Sequence, residues 1–436
     1  MKQNLTILGG GLSALSLAYF LQDRSDISKI TLLEKEKTIG GLCRTFETNG
    51  IEYDVGPHII FSKDKEILDF MNGLLGENNE KHRRSNRILH KKAFVQYPFE
   101  NDLSKLPDED KAYCVNAFMH NPYENYGAKN MLQFFLKTFG EGITNLYLRP
   151  YNEKIWKFDP SFMDTQMVDR IPKPPKEDIL KSAAGETIDG YTHQLYFTYP
   201  KQGGTAAIVQ ALREKLSGKV EILTNHSVES ARKTEKGFEV VAGGETFVSD
   251  RLVSTMPLDE FTALYNADKP AEVVSAAQNL RSNAIAISIV NVKPDRAGDN
   301  YAFMIADKNV IFHRLSKLDF MGGRYHNPDS ATYMIEVTYR KNDRVDLMTD
   351  AELTAKIIDG LKEIGFIDGE SDVNFTDLKR FDYAYVIYDL AHKENTTVLR
   401  DYFKQQGVEL NGRFGSFEYL NMDAIIRQSK NLAERF

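Results

Sequence analysis

Cysteine is scarce in this chain. Two stand in 436 residues, Cys43 and Cys114, far apart in sequence. That rules out a disulfide framework and a thiolate metal site, and it suits a reducing compartment, read here as the cytoplasm. Positive charge is also in deficit, with 55 Lys and Arg against 62 Asp and Glu and a net charge of -7. A basic surface for nucleic acid is therefore not expected. Long apolar runs are missing, and none approaches the ~18 residues of a membrane helix. The opening stretch MKQNLTILGGGLSALSLAYFL has three consecutive glycines where a secretory leader needs its apolar centre. It reads instead as a first strand and helix. Internal repeats and low-complexity tracts are absent too, which excludes solenoids and arrays.

What remains is a soluble, globular composition, 42% hydrophobic and 27% charged, in a chain too long for one ordinary core. NLTIL at 4–8 is a short strand. A helix from Leu12 to Gln22 follows the glycines, and KITLLEK is a second strand. This is a βαβ unit. From about 65 to 180 the pattern is mostly helical, closed by the proline-rich DRIPKPPKED. TYPKQGGTAAIVQALREKL turns into a helix, KVEIL onward alternates strands and turns, 350–364 is helical, and the chain ends in a glycine-containing turn and a helix. The fold class expected is α/β and discontinuous. A Rossmann-like domain takes 1–65, 195–255 and 405–436, a helical insertion takes 66–194, and an antiparallel β-sheet domain takes 256–404.

Gly9-Gly10-Gly11-Leu12-Ser13-Ala14 fits G-x-G-x-x-G/A. Gly9 permits the tight turn and Gly11 lets backbone approach a pyrophosphate. Ala14 allows close helix–strand packing, and the N–H groups at Leu12 and Ser13 open the helix toward phosphate. Glu34, beside Lys35, ends the second strand 20 residues after Ala14, where a carboxylate accepts ribose hydroxyls and repels a 2′-phosphate. These residues predict a dinucleotide site. No second GxGxxG follows, so a separate Rossmann site for a nicotinamide cofactor is not indicated.

A second glycine pair, Gly40-Gly41-Leu42, comes just after the acid. With the closing GRFGSFEYLNMDAII it resembles the FAD-binding superfamily of amine oxidases and protoporphyrinogen oxidases. DVGPHIIFS, VQYPFENDLSKLP, RPYNEKIW, DRIPKP and FTYPKQGG come in an order that is similar to the UDP-galactopyranose mutase family, nearly end to end. Pro57, Asn421 and Ala302-Phe303-Met304 depart from that pattern. The resemblance implies an isomerase that interconverts pyranose and furanose forms of a nucleotide sugar, with reduced FAD N5 as nucleophile at the anomeric carbon. It implies His58 beside the flavin, and Arg170 and Arg314 on the diphosphate, as the catalytic group. Val228 is implied at the adenine, and Gly415, Asn421 and Met422 at the flavin ring. Tyr97, Phe99, Tyr151, Asn152, Trp156, Tyr199, Tyr385, Tyr419 and Asn421 are implied as substrate contacts, with the two arginines. A homo-oligomer is left open. The alternative on the same fold is an oxidase of the amine or protoporphyrinogen type, for which an apolar cage would replace the arginines; a mutase for a different nucleotide sugar is the other.

Overall fold

The computed structural model describes residues 2–168, 171, 174–186, 188, 196–293, 295–322, 325 and 327–436. Strand Gln3–Leu8 is buried from Leu5 onward, so both of its faces need cover and both of its edges need partners. Among the described residues it lies at the centre of a parallel sheet ordered Val408–Leu410, Arg251–Ser254, Gln3–Leu8, Ile27–Leu33, Val220–Leu223. Three separated stretches of chain thus meet in one sheet. Helices Leu12–Leu21 and Met422–Arg435, from opposite ends of the chain, pack together against it through Leu15, Leu17, Ile426 and Leu432. The meander Val228–Thr234, Gly237–Ala242, Glu245–Ser249 leads into strand Arg251–Ser254.

A second, larger sheet runs Val373–Val386, Ser282–Val292, Ala331–Tyr339, Arg314–Lys317, Ala302–Ile305, Asn86–His90, Ala93–Gln96. Its middle strands read as continuous apolar runs because both faces are covered. Helix Asp350–Glu363 covers one face with Leu353, Ile357 and Leu361. Thr349 starts that helix with a reciprocal capping box to Glu352.

Two placements correct the sequence reading. The hairpin Asn86–Gln96 belongs to this second sheet and not to the helical region, and its first strand pairs parallel with Ala302–Ile305. The sheet is therefore mixed. Buried Ile88, Leu89 and Val95 hold the hairpin there, and its turn is made by Lys91 and Lys92, both with positive φ. Lysine is a rare choice for that geometry, so the turn was invisible to residue preference.

Helices Lys65–Leu75, Asp108–Met119, Met131–Ile143, Arg149–Trp156 and Lys176–Ala184 make the helical part. Gly140 (φ +70°) kinks the third of them, where a Cβ would come 2.6 Å from the Ala117 carbonyl oxygen. A π-helical turn, Thr144–Leu148, then joins it to Arg149–Trp156. Such turns shift the phase of a helix and gather at functional sites.

Candidate active site

The glycine loops come first because backbone builds them. Gly9 has φ +97°, and a Cβ there would sit 2.5 Å from Thr255 Oγ1. Gly11 caps helix Leu12–Leu21 and bridges to Gly40, whose N–H donates to the Gly10 carbonyl at 2.9 Å. Gly40 and Gly41 both have positive φ, and Gly41 lies against Gly11. The two glycine motifs are thus one zipped structure. Glu34 ends its strand 8% exposed, its carboxylate accepting from the N–H groups of Gly10 (2.7 Å) and Glu36 (2.9 Å). Ala14 is fully buried between helix and sheet, as its role in close packing requires.

A cavity of about 500 Å³ runs from these loops. Leu12, Ser13 and Lys35 line it at one end with Val228 and His226, and Leu42, His58, Arg413, Phe414, Asn421 and Met422 line it further on. The residues fit a dinucleotide such as FAD. Glycine backbone approaches where phosphates need it, the acid stands at the ribose position, and helix Met422–Arg435 opens at Asn421 without a side-chain cap, leaving its N–H groups for a negative ring edge. Gly415 is not on the wall. A Cβ there would meet the Asn411 and Ser254 carbonyl oxygens at 2.3 and 2.7 Å, so it serves a chain crossing, and its neighbours Arg413 and Phe414 face the cavity.

His58 Nδ1 is buried without a hydrogen-bond partner among the described residues. Burial, then the charges of Arg413 and Arg314, push its pKa down to about 4, so it is neutral at pH 7. Arg314 is held by Glu336, which accepts from both Nε and Nη2 and is 1% exposed. Burial opposes the guanidinium charge, but Glu336 outweighs it and raises the pKa well above normal. Its side-on fork is thereby occupied. Arg170 lies outside the described residues.

Two arginines absent from the sequence reading complete the cluster. Arg84 and Arg413 each bury Nε and Nη2 without an acceptor among the described residues. Those two atoms are the fork that grips carboxylate or phosphate. Arg84 lies 4.3 Å over the Phe61 ring, and burial lowers its pKa, with nearby Tyr301 and Tyr97 opposing and Arg314 adding to the shift. Arg413 lies 4.3 Å over Tyr419 and 5.5 Å over Tyr385. A signal existed for Arg413, since it sits inside the quoted GRFGSFEYLNMD. Glu336 was also legible in principle, as a lone acid in the apolar strand ATYMIEVTY.

The aromatics divide. Tyr385 and Tyr419 stack at 5.9 Å, and Trp156 meets both edge-on at 5.7 and 5.9 Å. Tyr151 stacks on Tyr147 and lies close enough to Arg314 to feel its charge. Tyr97 is 44% exposed and near Arg84. Three others do not present a free group. Phe99 is fully buried as the base of the stack Phe99–Tyr147–Tyr151. Asn152 donates to the Leu148 carbonyl (2.7 Å) and accepts from Trp156 Nε1–H (2.8 Å), clipping its own helix. Tyr199 is fully buried and donates its hydroxyl to Asp54, with Thr205, at the start of helix Ala206–Glu214. Asn152 and Tyr199 spend their polar groups locally, and Phe99 spends its ring in the core, before any ligand can claim them. Glu100, beside Phe99, is 6% exposed, and burial pushes its carboxyl up to about 7.

Comparison with known proteins follows this geometry. Residues 12–389 match the family model described as flavin containing amine oxidoreductase. The UDP-galactopyranose mutase of Mycoplasma pneumoniae is 27% identical over 187 residues, covering 39% of this chain and 44% of that enzyme. The match thus spans less than half of that relative's length. The coproporphyrinogen III oxidase of Staphylococcus aureus is 19% identical over 100% of this chain and 99% of its own. A crystal structure of reduced UDP-galactopyranose mutase superposes with a TM-score of 0.91 at 22% identity, covering 100% of this chain and 94% of that one. That likeness establishes the α/β fold.

Proposed function

The chain belongs to the flavin containing amine oxidoreductase family, and we propose that it is an FAD-dependent isomerase of the UDP-galactopyranose mutase kind. The observation that carries this reading is the pair of buried guanidinium forks without acceptors among the described residues, Arg84 and Arg413, beside Arg314 and a tyrosine–tryptophan wall. An amine oxidase cage has no use for three converging cations. A nucleoside diphosphate leaving group does, because it must be held as charge builds on it and then returned. Bound reduced FAD supplies N5 as the nucleophile toward the anomeric carbon. The protein's own part is to orient and to exclude water. Arg84 and Arg413 grip the diphosphate, with Arg170 and Arg314 adding charge. Tyr385 and Tyr151 stay protonated donors because burial pushes their pKa values up. Neutral His58 keeps a free Nδ1 at the flavin side. Trp156 closes the wall against solvent. No helix of the described residues is long and apolar enough to cross a membrane, and Cys43 and Cys114 are both free and buried, which favours the cytoplasm.

The test is conversion. FAD-loaded, dithionite-reduced protein given UDP-galactofuranose is expected to yield UDP-galactopyranose without oxygen uptake. A second reading follows from the full-length likeness to a porphyrinogen oxidase, since arginine forks also suit propionates. Oxygen-consuming turnover of coproporphyrinogen III with no sugar conversion would decide for the oxidase.

A further inference from the structure

Tyr419 and Arg413 belong to one turn, and that turn is built under strain. Phe417 has φ +53°, the left-handed region that a bulky residue avoids, and it is fully buried. Within the turn, the Ser416 N–H and hydroxyl both donate to the Gly412 carbonyl, at 2.8 and 2.7 Å. The Glu418 N–H donates to the Arg413 carbonyl at 2.8 Å. Gln428, from the last helix, accepts the Gly412 N–H at 2.7 Å and reaches Ser416 Oγ at 3.2 Å. These bonds close the loop on itself but leave its far side open.

That side is met by two residues that no catalytic reading has used. His392 opens helix His392–Gln406 and is 5% exposed. Its Nε2 lies 2.8 Å from the Phe417 carbonyl, which can only accept, so the ring carries its proton there. Nδ1 is buried without a partner among the described residues, and burial lowers the pKa despite the carbonyl contact, so the neutral Nε2–H form is kept. Tyr388 packs 4.3 Å from His392 and its hydroxyl accepts the Tyr419 backbone N–H at 2.8 Å. Tyr388 is itself anchored, its carbonyl accepting the Asp164 N–H at 2.7 Å. One contact grips the strained residue, and the other grips the backbone of the tyrosine that stacks under Arg413.

We infer that Tyr388 and His392 are positioning residues, a brace that holds the strained turn at 412–421 so that Arg413 and Tyr419 face the diphosphate of a nucleotide ligand. A residue in the left-handed region persists only where its surroundings over-determine it. Tyr419 is stacked on Tyr385 and covered by Arg413, so a tilt of its backbone moves the ring and the fork together. This inference rests on the nucleotide-sugar reading for the identity of the ligand, but not on sugar conversion.

The experiment uses the FAD-loaded full chain, with UDP affinity measured by titration and amide hydrogen exchange followed across the turn. Tyr388→Phe removes only the hydroxyl. It is expected to weaken UDP about ten-fold and to speed exchange at the Tyr419 amide, with little change in thermal midpoint. His392→Ala should act likewise, and His392→Gln, which keeps a donor, should recover most of the affinity. Wild-type UDP affinity in both Tyr388→Phe and His392→Ala, even with a lowered midpoint, would overturn the brace and leave the mutase reading standing. Weakened UDP binding in a protein that converts no sugar would keep the brace and sink the isomerase. Wild-type protein that binds no UDP would overturn both.

Discussion

The cavity behind the glycine loops and the arginine cluster that meets it at Arg413 are made of different material. At the glycine loops, backbone does the work: Gly9, Gly11, Gly40 and Gly41 bring peptide groups together, and the acid at 34 is tied down by N–H groups. In the cluster the work is done by side chains that reach across elements: Arg84 from a loop, Arg314 from a strand, Arg413 from a turn, Tyr151 and Trp156 from one helix. A backbone site fails at the positions whose φ or spacing only glycine allows, Gly9 first among them. A side-chain site tolerates loss by degrees, since each group contributes its own share.

The comparison breaks most sharply at Gly9. Gly9→Val adds branched bulk at φ +97° and 2.5 Å from Thr255 Oγ1. Purified protein is expected to carry no flavin by absorbance at 450 nm or so. Retained flavin would mean that the loop is not built as described. Next comes Arg413→Ala, which should leave flavin bound while UDP affinity falls about 100-fold, or ~2.8 kcal/mol. Arg413→Lys should rescue little, because an ammonium has no fork. A full rescue would reduce Arg413 to a point charge.

The smallest effect on ligand binding belongs to Glu100, beside Phe99 under the aromatic stack, where the change falls on stability. Its folded pKa of about 7 lies above that of an exposed glutamate. The folded state therefore favours the protonated form. Stability is full below the unfolded pKa and falls as pH rises through 7. Glu100→Gln should flatten that slope, adding on the order of 3 kcal/mol at pH 8 and little at pH 4, measured by urea unfolding. Equal stability of the two proteins at pH 8 would show that the carboxyl is better solvated than its burial implies.

Much of the cofactor end was legible in the sequence. The glycine spacing, the acid 20 residues on and the second glycine pair are local signals, and each constrains φ, ψ or close approach by itself. Helices at 12–21, 206–214 and 350–363 were readable for the same reason. The hairpin at 86–96 was not, since its turn uses Lys91 and Lys92 and its partner strand lies more than 200 residues on. Phe99, Asn152 and Tyr199 had the right chemistry for a ligand, but neighbouring groups had already taken it.

Glycine and the short range of the backbone thus let the sequence alone determine an α/β fold and the paired glycine loops at its first turn. Which arginine is free to bind could not be written there. Arg314 and Arg413 are the same residue type in equally suggestive segments. Only the packing of strand Ala331–Tyr339 beside strand Arg314–Lys317 delivers Glu336 to one of them and leaves the fork of the other without an acceptor among the described residues. A guanidinium is defined by its acceptors, and those come from wherever the fold has brought the chain.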